Sequence, residues 1–236
     1  VAVIGSGSGG GVAANILNKK YEVGIFEKGS YGNGMTNNET FGYHNFYDTN
    51  GIQQTRGYKV LLLAGMGIGG GTSVNWTTSL RTPNQILNEW DTLTEQDNYF
   101  NSHEFKNSMD YVCKELNVDI KNNRIPQKEE KLAEGLELNN LSYKIIPRNT
   151  SNDECTESGF STFGRYDESI NSTNKIWFSE ERFEPNNVFS DTNITSLDLS
   201  NGRATHINIE NNGTLHKVAV DKVVLAAGSL NTPKIL

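Results

Sequence analysis

Two glycine-rich segments and one acid carry the residue types from which chemistry can be read. Gly5-x-Gly7-x-x-Gly10 stands between an apolar run at residues 1–4 and a helical pattern at residues 12–20, where Val12, Ile16 and Leu17 share one face. In such a pattern the first glycine permits a tight turn and the second lets backbone approach a pyrophosphate. The third lets helix and strand pack closely. Ser8 and Gly9 fall in the first turn of that helix, where free amides and the partial positive charge of the helix end favour an anion. A second stretch, residues 21–27, alternates through Val23 and Ile25 and ends at Glu27, about 20 residues past the glycine turn. A carboxylate there accepts hydrogen bonds from the 2′- and 3′-hydroxyls of a ribose. It would repel a 2′-phosphate, which disfavours NADP. The unit reads as dinucleotide-binding and leaves FAD and NAD both open.

These residues need a particular scaffold. Strand, tight turn, helix and second strand form a βαβ unit, which crosses over right-handed and builds a parallel sheet. Residues 31–58, rich in Gly, Asn and aromatics, read as an irregular excursion, and residues 59–64 as an apolar strand. Residues 85–90, 102–116 and 127–138 carry helical patterns; residues 149–174 are polar and read as a long loop. Residues 187–199, 204–210 and 215–220 read as three strands joined by turns at Asn201-Gly202 and Asn212-Gly213, a dipeptide that favours tight hairpins. Residues 222–227 then form a buried strand ending at Gly228, and a helix opens at about residue 232.

The second glycine segment is the more specific. It runs Gly65-Met66-Gly67-Ile68-Gly69-Gly70-Gly71-Thr72-x-Val74-Asn75-Trp76-x-x-Ser79-Leu80-Arg81-Thr82-Pro83, with Glu89-Trp90 following. It resembles the flavin-contacting segment of the glucose–methanol–choline (GMC) oxidoreductases, most like the long-chain (fatty) alcohol oxidase branch. The resemblance extends over essentially the whole chain. It implies an α/β fold: an FAD-binding Rossmann-like parallel sheet with a three-stranded β-meander, a truncated glutathione-reductase-like dinucleotide fold. It also implies FAD as cofactor. Gly70, Gly71, Asn75, Trp76 and Thr78 match positions lining the flavin and its phosphates. Ile194 matches a position whose backbone meets the adenine, and Ala227 and Gly228 a strand end near the ribose and phosphates. Many relatives carry Ser where this chain has Gly71.

The implied division is residues 1–84 and 185–236 as the FAD-binding region, with residues 85–184 as a helical and loop insertion on the substrate side. Both ends fall inside apolar patterns, as expected of an interior piece of a longer enzyme. The resemblance implies an FAD-dependent oxidation of a primary, long-chain alcohol to an aldehyde, with oxygen as acceptor. It places the catalytic His, paired with a second His or an Asn, beyond residue 236, so no catalytic residue is assigned here. It further implies an intracellular enzyme with peripheral membrane or peroxisomal association. A GMC enzyme for another alcohol or a sugar, a nicotinamide-dependent dehydrogenase and a non-catalytic nucleotide-binding remnant are the competing readings.

Composition narrows the field. The chain has 236 residues, 35% of them hydrophobic, enough for a sizeable core. A net charge of -7 without a Lys/Arg cluster argues against nucleic acid as a partner. No apolar run approaches the roughly 20 residues of a membrane-spanning helix. The chain opens directly on a strand pattern without the signature of a signal peptide. Cys113 and Cys155 make no disulfide framework, which favours a reducing compartment. Fatty alcohol oxidases carry a cysteine-rich stretch where this chain has Cys155 alone, so no metal is expected there. His44, His103, His206 and His216 do not cluster in sequence. Asn-x-Ser/Thr triplets at Asn38, Asn75, Asn149, Asn171, Asn193 and Asn212 read as a consequence of asparagine bias.

Overall fold

The computed structural model describes residues 1–31, 38–122, 125–151, 163, 169–179, 181–211 and 213–236. Cys155 and Asn212 lie outside the described residues. The chain forms two compact units, one of Val1–Trp76 with Thr156–Leu236, the other of Thr77–Cys155.

The first unit is built on a parallel sheet of order β5-β2-β1-β9. Its strands are β1 (Ala2–Ile4), β2 (Gly24–Phe26), β5 (Val188–Phe189) and β9 (Val223–Leu225). Val3 sits opposite Ile25 on one side and Val224 on the other. Every residue of β1 is buried, as befits a central parallel strand covered on both faces. Helix α1 (Ser8–Leu17) makes the crossover and starts inside the glycine motif, ahead of the expected residue 12. The apolar periodicity marks only its side-chain-bearing turns, and Gly9, Gly10 and Gly11 give no such signal. Three glycines in a first turn cost up to about 1 kcal/mol each. Close packing explains two of them. A Cβ on Gly10 would stand 1.9 Å from the Gly5 carbonyl oxygen, and one on Gly11 would stand 2.8 Å from the Thr173 Cβ. Thr173 opens the short helix α6 (Thr173–Trp177).

The meander consists of β6 (Asn193–Ser200), β7 (Arg203–Asn211) and β8 (Thr214–Ala219), antiparallel in that order. Asn201 and Gly202 have φ of 50° and 73°, as a hairpin turn with two left-handed residues requires. The stretch read as one strand at 187–199 is two. Residues 188–189 join the parallel sheet beside β2, where Phe189 stacks on Phe26 at 5.0 Å. The break comes at Asp191, whose φ is 53°. Ile194, Ile207 and Ile209 from the meander pack with Ala2, Ile4 and Phe26 from the sheet in one core. Helix α7 (Gly228–Ile235) adds Ile235 to it and begins earlier than residue 232.

The excursion at 31–58 contains helix α2 (Glu39–Phe46), whose Asn38 side chain accepts from the Phe41 N–H at 3.0 Å. Its Gly42 lies under Phe163, a ring that a Cβ would approach to 2.4 Å. Tertiary packing rather than periodicity holds this helix. A two-stranded ribbon of β3 (Gln53–Gln54) and β4 (Leu61–Leu62) follows.

The second unit carries α3 (Asn84–Leu93), α4 (His103–Glu115) and α5 (Gln127–Leu138). Leu87 of α3 is buried, and Asp91 accepts from the Phe100 N–H at 3.0 Å. The Phe100 ring packs edge-on against Trp90 and Phe105. No helix among the described residues is long and apolar enough to cross a membrane.

Candidate cofactor site

The first unit carries an open cleft of about 1210 Å³, larger than the roughly 300–1,000 Å³ of an ordinary small-ligand pocket. Separated segments line it. Gly5, Gly7, Ser8 and Gly9 come from the β1–α1 turn, and Glu27 from the end of β2. Gly70, Gly71 and Asn75 come from the second glycine segment, Ile194 from β6, and Ala227 and Gly228 from the start of α7. Three expected residues do not line it. Gly10 lies behind the turn against Gly5. Trp76 is 72% exposed, and Thr78 belongs to the second unit, where it bridges to Arg148.

The two glycine segments meet backbone to backbone. Gly70 has φ of 52°, and a Cβ on it would come within 3.1 Å of the Gly7 Cα. Gly5, at φ of 94°, makes the turn out of β1, where a Cβ would strike the Ala226 carbonyl at 2.4 Å. Other glycines have no such reason inside the protein. A Cβ on Gly7, Gly9 or Gly71 would meet nothing within 4 Å, yet all three line the cavity; Gly228 lines it too, but its φ of 76° already favours glycine. Bare backbone facing open space is what a flat or anionic group in close contact requires. No side chain caps α1 at Gly7 and no acid stands in its first turn, so the helix end keeps its positive character toward the cavity. The residues therefore fit an extended dinucleotide with a diphosphate.

Hydrogen bonds that the sequence pattern does not reveal tie these segments together. Glu27 is buried; its Oε2 accepts from the Ser6 N–H at 3.0 Å and the Ser6 hydroxyl at 2.6 Å, and its Oε1 from the Gly29 N–H at 3.0 Å. The Ser6 hydroxyl oxygen in turn accepts from the Gly69 N–H at 2.9 Å. The Thr173 hydroxyl donates to the Ser6 carbonyl at 3.0 Å and lies 2.9 Å from the Thr72 hydroxyl. Asn75 donates to the Gly71 and Thr72 carbonyls, which closes the second glycine turn.

A further polar chain runs along the cavity wall. Lys28 Nζ lies 2.7 Å from Asp48 Oδ1, and Asn231 Nδ2 donates to Asp48 Oδ2 at 3.4 Å. Burial alone would raise the Asp48 pKa. The hydrogen bond and charge of Lys28, with Asn231 and the Thr49 backbone, outweigh it and hold the carboxyl below its usual range. Neighbouring Tyr47 is pushed up to about 12, by burial first and by Tyr43 second. Sequence reasoning missed Ser6, Lys28, Asp48, Thr72, Thr173 and Asn231 as site residues. Ser6 alone had a local signal, since the residue between the first two glycines is forced beneath the turn. No group of three metal-ligating side chains occurs among the described residues.

A family model described as GMC oxidoreductase matches residues 8–236. The chain belongs to the GMC oxidoreductase family. Among curated relatives, this GMC oxidoreductase chain is 30% identical over 243 residues to long-chain-alcohol oxidase FAO4A of Arabidopsis thaliana, covering 99% of the chain and 33% of that relative. It is 34% identical over 178 residues to long-chain-alcohol oxidase FAO4B of the same plant, covering 74% of the chain and 23% of the relative. The GMC chain thus spans at most about a third of the length of these relatives.

Solved structures agree on the fold. Pyridoxine 4-oxidase from Mesorbium loti superposes with a TM-score of 0.67 at 13% identity, covering 98% of the chain and 50% of that protein. An FAD-dependent oxidoreductase from Chaetomium thermophilum superposes with a TM-score of 0.68 at 16% identity, covering 99% of the chain and 46% of that protein.

Proposed function

We propose that the chain is the FAD-holding part of an oxidase of long-chain primary alcohols. The observation that carries this reading is the pair of glycine segments closing on one cavity with Cβ-free faces turned into open space. The similarity to long-chain-alcohol oxidases at 30–34% identity supports the substrate class. FAD held there would supply the two-electron hydride acceptor that alcohol oxidation needs. The first-turn amides of Ser8 and Gly9 hold the diphosphate at the positive end of α1. Glu27 accepts from the adenosine ribose, and the backbone at Ile194 borders the adenine. Ala227 and Gly228 pass beside the ribose and phosphates. Gly70, Gly71 and Asn75 present backbone to the flavin side. No side chain of this chain is assigned the alcohol-deprotonating base.

The test uses the whole protein that contains this chain. It should carry a yellow flavin spectrum, bleach under anaerobic conditions with a long-chain primary alcohol, and recover with oxygen as peroxide appears. Bleaching only with short alcohols or sugars would move the substrate class and leave the cofactor assignment standing. A colourless protein that turns over with added NAD would overturn the reading. Long-chain alcohols partition into lipid, so the same proposal puts the enzyme at a membrane surface, which fractionation checks.

A further inference from the structure

Ser6 and Glu27 together restrict how the ribose is read. Ser6 is fully buried, and its hydroxyl is bonded to both Glu27 and the second glycine segment. Its hydroxyl has one proton, and the shortest contact, 2.6 Å to Glu27 Oε2, takes it. The 3.3 Å approach to the Gly67 carbonyl is then left without a proton. The oxygen is free to accept the Gly69 N–H at 2.9 Å. Lys28, the residue after Glu27, gives its ammonium to Asp48.

An ionised carboxylate offers about four lone-pair sites. Glu27 spends two on Oε2, to the Ser6 N–H and hydroxyl, and one on Oε1, to the Gly29 N–H. One site remains, on Oε1. A ribose presents two adjacent hydroxyls, and a carboxylate with one vacancy accepts from one of them. We propose that Ser6 is a positioning residue that saturates Oε2 of Glu27, so that Glu27 selects a single hydroxyl of the adenosine ribose rather than both. This rests on the FAD reading above and narrows it: the sequence pattern alone allowed two hydroxyls. The same serine fixes Gly69, which leads into the Gly70–Gly71 face, so one side chain sets the spacing between the ribose end and the second glycine segment.

The experiment strips flavin from the whole protein and reconstitutes it with FAD or with FAD lacking either the 2′- or the 3′-hydroxyl of the adenosine ribose. Loss of a hydrogen bond to a charged group weakens binding on the order of 10- to 100-fold. One deoxy analogue should show that loss, and the other should bind within about threefold of FAD, as expected when no bond to the protein is removed. In Ser6→Ala, FAD should bind more weakly and the difference between the analogues should shrink. Ser6→Thr, which keeps the hydroxyl, should restore it. A merely structural serine would alter melting temperature without changing that ratio. Equal loss for both analogues, loss for neither, or an unchanged ratio in Ser6→Ala would overturn the proposal while FAD binding stands. Failure of FAD itself to reconstitute would remove the cofactor reading and this inference with it. On the unaltered protein, equal loss for both analogues or loss for neither overturns the proposal even if both variants fail to fold.

Discussion

The two glycine segments of the first unit use the same residue for different reasons. In the segment at 5–10, two glycines are demanded by the protein itself, since Cβ atoms on Gly5 and Gly10 would strike backbone at 2.4 and 1.9 Å. That segment joins a buried strand to a ten-residue helix that starts within it, and Gly5 is further confined by Ala226 from the far end of the chain. The segment at 65–75 folds into tight turns of its own, with the Gly70 N–H on the Gly67 carbonyl and the Thr72 N–H on the Gly69 carbonyl. It is also held by side chains from elsewhere: the Ser6 hydroxyl on the Gly69 N–H, and Thr173 on Thr72. At Gly71 the protein leaves open space. In both segments glycine thus serves packing at some positions (Gly5, Gly10, Gly65) and leaves open space at others (Gly7, Gly9, Gly71), and only the atoms around each position tell them apart.

Substitutions can break or sharpen that contrast. The largest effect is expected at Gly10→Ala, whose new Cβ cannot avoid the Gly5 carbonyl. Overpacking against backbone should cost about 3 kcal/mol, read as a lowered midpoint in denaturant unfolding, or prevent folding. Next comes Thr173→Val, which removes the donor to the Ser6 carbonyl and the partner of Thr72. Unpaired buried groups should cost about 1–3 kcal/mol by the same measurement.

A smaller effect is expected at Asp48→Asn. Lys28 is about half-exposed (43%), so solvent screens the pair and the loss should stay below about 1 kcal/mol. Its pH dependence is diagnostic. The Asp48 pKa is lowered in the folded protein, so its contribution is complete above the unfolded value of about 3.9 and is lost as pH falls through the lowered one. Melting curves of the parent and Asp48→Asn should therefore differ near neutral pH and converge in acid. A gap that persists unchanged below the carboxylate range would refute the ion-pair account. The smallest effect on stability belongs to Gly71→Ala, within about 0.5 kcal/mol, because its Cβ meets no protein atom. Its flavin affinity should fall nonetheless; a variant that retains flavin as tightly as the parent would show that nothing lies against that face.

Short-window signals were enough for much of the fold. The βαβ unit, the Asn201-Gly202 hairpin and the helices at 84–93, 103–115 and 127–138 follow from apolar spacing and turn chemistry within a few residues of each position. The glycine spacing and Glu27 likewise marked one wall of the cavity, since turn, helix end and strand end are neighbours in sequence. Tertiary structure alone decided the rest. Strand β5 left the meander for the parallel sheet because Phe189 stacks on Phe26, a residue far upstream. Helix α2 formed in a stretch without apolar periodicity because Gly42 admits Phe163. The Glu27–Ser6–Gly69 network and the Lys28–Asp48–Asn231 chain join residues that are 20 to 183 positions apart. Hydrogen-bond partners are chosen by distance and direction in three dimensions, and residue order carries neither.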